Sequence, residues 1–149
     1  MIKFGHVNII TDDWKKLAFF YIVVFGCVPL QPERDLSGDW LDKSTSINDA
    51  HIRGIHLALP GYEEKLPTLE IFQYDKNVNS HPALANRKGF GHIAFRVDDV
   101  PKMTEKVLMN GGSQLGEIVE TKIPGAGIIT FVYVRDIDGN IIELQCWKP

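Results

Sequence analysis

Two stretches of the chain alternate apolar and polar residues with the two-residue period of a half-buried strand: FGHVNIIT from Phe4 and FGHIAFRV from Phe90. Each runs into an Asp-Asp pair, Asp12-Asp13 and Asp98-Asp99, and then into a segment of helical periodicity. Aspartates at that place cap a helix and complement its positive N-terminal end, so we read all four as structural rather than catalytic. The predicted helices, Trp14 to Phe25 and Pro101 to Asn110, stop at Gly26 and at Gly111-Gly112, where a left-handed residue is favoured. Three further strands are predicted after each helix. In the first half they run from Val28 to Glu33, His51 to Leu59 and Thr68 to Tyr74. In the second half they run from Gln114 to Lys122, Ile128 to Arg135 and Ile141 to Trp147, with a tight turn at Asp138-Gly139-Asn140 between the last two.

The two halves are copies of one unit. Residues 6–26 and 92–112 share a histidine, the Asp-Asp pair, a lysine and a glycine at the same relative positions, and TLEIFQY (68–74) is answered by IIELQCW (141–147). The first half is longer in its middle, around Ser37 to Ala50. The expected architecture is α+β: two βαβββ modules whose strands curve into a mixed-sheet cup. One domain spans 1–149, with module 1 at about 1–75, module 2 at about 89–149 and a polar linker at 76–88.

Composition narrows the function classes. A formal net charge of −3, with no basic run interleaved with aromatics, argues against nucleic acid as a partner. The longest apolar run, around Leu17 to Val24, is too short to span a bilayer, and the N-terminal residues lack the layout of a signal peptide. Cys27 and Cys146 have no paired or CxxC spacing, so we expect two free thiols in a reducing cytoplasm.

Candidate chemistry lies in the repeat itself. His6 and His92 open the two copies, and Glu70 and Glu143 sit inside their last apolar strands, where a charge is costly unless paired or metal-bound. Strand alternation puts Phe4, Asn8 and Ile10 on the face of His6, and Thr68, Phe72 and Tyr74 on that of Glu70. It puts Phe90, Ala94 and Arg96 with His92, and Ile141, Gln145 and Trp147 with Glu143. The opposite faces, Val7, Ile9, Leu69, Ile71, Ile93, Phe95, Ile142 and Leu144, are apolar and should pack under the helices. Two imidazoles and two carboxylates suit one divalent ion, whether Zn, Ni, Co, Mn or Fe(II), with positions left for water or substrate oxygen. Asn8, Phe72, Tyr74, Arg96, Gln145 and Trp147 are the candidate substrate-binding residues on these faces.

This pattern resembles the vicinal oxygen chelate superfamily over nearly the whole chain. That superfamily includes glyoxalase I, methylmalonyl-CoA epimerase, extradiol dioxygenases and the fosfomycin- and bleomycin-resistance proteins. The resemblance rests on the paired modules, on His6, Glu70, His92 and Glu143 in order, and on the segment Asp136-Ile-Asp-Gly-Asn-Ile-Ile-Glu143. It is nearest in ligand set to glyoxalase I-like proteins. It implies a lyase or isomerase working by proton transfer through a metal-stabilised enediolate, with Glu143 or Glu70 as the base. The positions that help hold glutathione in bacterial glyoxalase I are Ile10 and Tyr74 here, which points to a different small oxygenated substrate. The same resemblance leaves open an Fe(II) ring-cleaving dioxygenase and a resistance-type binding protein without turnover. It also implies a homodimer. His51 and His56 read as a polar strand edge, Trp40 and Tyr62 as loop residues, and His81 as a solvated side chain.

Overall fold

In the computed structural model, residues 1–63, 65 and 67–149 are described. The chain divides into two compact units, Met1–Asn79 and Ser80–Pro149. The first contains β1 (His6–Ile10), α1 (Trp14–Phe25), β2 (Val28–Ser37), α2 (Asp39–Thr45), β3 (His51–Ala58) and β4 (Thr68–Tyr74). The second contains β5 (Ile93–Arg96), α3 (Val100–Met109), β6 (Ser113–Gln114), β7 (Val119–Ile123), β8 (Gly127–Arg135) and β9 (Ile141–Lys148). The fold is α+β, with one mixed sheet in each unit, as the repeat predicts.

Both sheets are built alike. In the first unit the order is β1-β4-β3-β2, with β1 parallel to β4 and the other pairs antiparallel. In the second it is β5-β9-β8-β6, with β7 also on β8 and β5 parallel to β9. One helix covers one face of each sheet: α1 packs on β3 and β4, and α3 on β8 and β9. Leu17, Tyr21 and Val24 of α1 are fully buried, as are Leu57, Leu69 and Ile71 of the sheet beneath. Val107 of α3 and Val132, Val134, Ile142 and Leu144 repeat that core in the second unit. Each such side chain contributes about 1.5–3 kcal/mol by leaving water.

The second aspartate of each pair caps its helix, as the sequence position predicts. Asp13 accepts from the Lys16 amide at 3.1 Å and Asp99 from that of Lys102 at 2.9 Å. Gly26 ends α1 in the left-handed conformation at φ 73°.

Four details depart from the sequence reading. Trp40, expected in a loop, lies in α2, a two-turn helix in the longer middle of the first unit that buries only Leu41. The first strand of the second unit starts at Ile93, so His92 stands just before it rather than on it. The strand after α1 runs on to Ser37, beyond the predicted end at Glu33. The strand predicted from Gln114 to Lys122 is two pieces, β6 and β7, separated at residues 115–118.

That last break has a counterpart in the first unit. Between the pairs Leu30–His56 and Arg34–Gly54, three residues of β2 face one of β3. Between Gln114–Val134 and Val119–Phe131, four residues face two of β8. Each outer strand thus carries two extra residues, and in the second unit the Leu115 and Gly116 amides both approach the Tyr133 carbonyl, at 2.9 and 3.4 Å.

The turn from β8 to β9 is organised by one buried carboxylate. Asp136 Oδ1 accepts from the amides of Asp138 and Asn140, and Oδ2 accepts from the Asn140 side chain, each at 2.9 Å. Gly139 provides the positive φ, 87°, that the reversal requires. We expect Asp136→Ala to lower stability by about 2–3 kcal/mol, because three donors lose a charged acceptor. Urea denaturation would show this as a lower midpoint at unchanged slope.

Candidate functional site

In the first unit the parallel pairing of β1 with β4 sets Asn8 directly beside Glu70, and the antiparallel pairing sets His56 on the other side. His6, two residues before Asn8, shares its face. The Glu70 side chain is only 8% exposed, and imidazole and amide groups approach its oxygens. The Nδ1 atoms of His6 and His56 both lie 3.2 Å from Oε1, while the Asn8 amide lies 3.5 Å from Oε2. Burial lowers the His56 pKa, Arg34 and His6 push the same way, and Glu70 opposes them.

The second unit repeats the arrangement with two substitutions. Glu143 pairs with Ala94 on β5 and with Tyr133 on β8, where the first unit has Asn8 and His56. His92 Nε2 lies 2.9 Å from Glu143 Oε2, and its ring packs edge-on against Tyr133 at 5.1 Å. Burial raises the pKa of the Tyr133 phenol, and the Glu143 charge adds to the rise. Each unit therefore brings together one sequence-predicted histidine and one sequence-predicted glutamate.

The donor chemistry fits a divalent cation: each carboxylate is largely buried and met by imidazole or amide groups that do not neutralise it permanently. Among the described residues, no cluster of three or more His, Cys, Asp or Glu has the geometry to hold a metal ion. In the first unit both imidazoles converge on one oxygen of Glu70.

The candidate substrate residues separate into groups. Phe72 and Tyr74 pack on the small apolar cluster of Leu41, Ala50 and Ile52, so α2 covers the far end of the Glu70 face. Arg96, Gln145 and Trp147 line one cavity of about 180 Å³, in which the Trp147 indole donates to Gln145. Asn8 contacts Glu70 itself.

His56 and Tyr133 escaped the sequence reading as site residues. Their signal was the repeat: each stands on the third long strand of its unit, opposite the glutamate. His51 is also more than an edge residue. Its Nε2 lies 2.6 Å from Asp35 and its Nδ1 2.8 Å from Asp75, which also binds Arg53, so the ring ties β2 to the end of β4. Both cysteines are free, and burial pushes the Cys27 thiol up to about 11.

The chain's residues 3–144 match the family model described as the glyoxalase/bleomycin resistance protein/dioxygenase superfamily. The chain belongs to that superfamily. The vicinal oxygen chelate fold is shared with a glyoxalase family protein from Bacillus cereus (TM-score 0.83, 17% identity, 100% of this chain and 96% of that one). It is shared with a glyoxylase/bleomycin resistance protein/dioxygenase domain from Frankia sp. EAN1pec (0.62, 17%, 99% and 93%). It is shared too with the fosfomycin resistance protein FosX from Listeria monocytogenes in complex with Mn(II) and sulfate (0.55, 16%, 99% and 95%). No curated protein matches the sequence. Among the described residues of this superfamily member, no helix is long and apolar enough to cross a membrane.

Two predictions follow from the first unit. A Cβ built on Gly54 would lie 2.1 Å from the Ile71 carbonyl oxygen and 2.4 Å from Phe72 Cδ1. Gly54→Ala should therefore cost about 1–3 kcal/mol, read as a lower midpoint in chemical denaturation, because backbone and ring must both move. Hydrogen bonds to Asp35 and then Asp75 raise the His51 pKa, and the bond to His51 lowers that of Asp75. A raised imidazole stabilises the fold below its unfolded pKa and loses that contribution as pH climbs through the folded value. The Asp75 contribution is present above its unfolded pKa and fades as pH falls through its lowered one. Wild type should thus lose thermal stability as pH rises above the unfolded imidazole value of about 6.5, and His51→Gln should lose less over the same rise.

Proposed function

We propose that the chain is a metal-dependent lyase or isomerase of the glyoxalase I type, acting by proton transfer on a small oxygenated substrate other than a glutathione adduct. The observation that carries this reading is the repeated pair. In each unit a histidine at the head of the first strand meets a glutamate buried in the last, His6 with Glu70 and His92 with Glu143. Glutamates buried with imidazole rather than with a fixed cation are suited to exchanging that partner for a divalent ion. His6, Glu70, His92 and Glu143 are the proposed ligands, and the two units work as one functional domain.

When bound, such an ion withdraws charge from a substrate oxygen and makes the neighbouring carbon-bound proton easier to remove. The protein's own part is to receive and return that proton. Glu143 is our first choice for the base and Glu70 the second, since each is a carboxylate in a largely water-free setting. Tyr133, against His92 and beside Glu143, narrows that side of the site. In this reading Arg96, Gln145 and Trp147, which share one cavity, meet a polar or anionic part of the substrate, and Asn8, Phe72 and Tyr74 serve it from the Glu70 face. We further propose a cytoplasmic homodimer. Pairing of modules between chains would cover open sheet edges, and a metal-bearing superfamily member such as FosX, recorded with Mn(II), is consistent with the ligand chemistry.

Elemental analysis of wild type, Glu70→Ala and His92→Ala tests the proposal. About one divalent ion per chain in the wild type and a loss in both variants is the expected result. Nickel, zinc, cobalt or manganese would direct assays to solvent exchange of a substrate C–H proton, whereas iron would direct them to oxygen uptake with a catechol. A wild type that takes up none of these ions would overturn the enzymatic reading in favour of a metal-free binding protein.

A further inference from the structure

We infer that His56 is a positioning residue for Glu70: its Nδ1–H holds Oε1 so that the carboxylate keeps one orientation when His6 turns to a divalent ion. The inference rests on the metal-binding reading above. Three observations place His56 in that role. First, it is the direct cross-strand partner of Glu70, and its Nδ1 lies 3.2 Å from Oε1. Second, its ring is seated against Phe72, with centroids 5.6 Å apart at 57°. The Phe72 ring in turn lies over Gly54, where a side chain would collide with it. Third, Asn8 approaches the other oxygen, Oε2. With His56 on one oxygen and Asn8 on the other, Glu70 keeps a protein donor at each without His6.

The variants below separate this role from direct ligation. His56 turns Nδ1 toward a carboxylate oxygen already contacted by His6; with the proton on Nδ1, only Nε2 keeps a lone pair for a metal. Partners that hold a ligand in place typically govern metal affinity by about 10–100-fold. The repeat builds the position twice, since Tyr133 faces Glu143 in the same register. His56 is thus the first unit's own solution at a place where the second uses a phenol.

The test compares Mn(II) binding by full-length wild type, His56→Asn and His56→Leu, using calorimetry, with circular dichroism and thermal unfolding to confirm the fold. Asparagine can present an N–H near the position of Nδ1, while leucine removes the donor at similar size. We expect His56→Leu to weaken Mn(II) binding by about 10-fold or more and His56→Asn to retain most of it. Imidazole ¹⁵N spectra of the metal-free wild type should show His56 protonated at Nδ1. Equal affinity in all three proteins would overturn the inference and leave the metal site standing. Equal loss in both variants would overturn it in favour of direct ligation. Should His56→Leu fail to fold, a His56 ring protonated only at Nε2 in the wild type would overturn it alone. A wild type that binds neither Mn(II) nor the other ions would overturn the metal reading and this inference with it.

Discussion

The parallel ladder between the first and last strands of each unit is the constraint from which the rest follows. It sets Asn8 beside Glu70, 62 residues away in the chain, and Ala94 beside Glu143. A parallel pair requires a crossover, and each crossover opens with α1 or α3, packed on the sheet face away from the glutamate, before its remaining strands return to the ladder. The same geometry therefore builds the core on one face and leaves the other to polar groups. Closing a longer crossover is entropically inexpensive: doubling a loop costs only about 0.6 kcal/mol. That explains why the first unit accommodates α2 without disturbing the ladder that both units share.

Burial of the two glutamates is the second constraint. A carboxylate withdrawn from water without a partner is strongly unfavourable, so donors must be supplied at the same depth. The first unit supplies two imidazoles and an amide, and the second an imidazole beside a phenol. None of these is a fixed cation. A guanidinium there would form a permanent ion pair and compete with any incoming metal, whereas a neutral imidazole can release the carboxylate.

The repeat made the fold legible in the sequence. His6 and His92, the Asp-Asp caps and the glutamates in matching apolar strands located both units and the strands that carry the site. Alternation identified which residues share a face, and the full burial of Leu69, Ile71, Ile142 and Leu144 agrees with it. What alternation cannot supply is lateral register. That His56 faces Glu70, and Tyr133 faces Glu143, depends on how β3 and β8 slide against their neighbours, which pairing and core packing decide together. The α2 helix left little trace for a different reason: seven residues with one buried side chain and a glycine at the N-cap have no periodicity to read.

The outer strands show how the sheets bend beside these residues without losing order. Side chains alternate with a period of two, so one extra residue in β2 would transfer everything beyond it to the opposite face. Both outer strands instead gain two. Leu30 pairs with His56 before the irregularity and Arg34 with Gly54 after it; Gln114 pairs with Val134 before and Val119 with Phe131 after. A two-residue surplus adds local twist and breaks the ladder but preserves the inward and outward assignment on either side. Both irregularities flank the residue that faces the glutamate: Leu30 is the last regular partner of β3 and pairs with His56, while Leu115 and Gly116 converge on Tyr133. The outer strand is thus distorted where the neighbouring strand presents its polar side chain, and the ladders that hold Glu70 and Glu143 themselves remain regular.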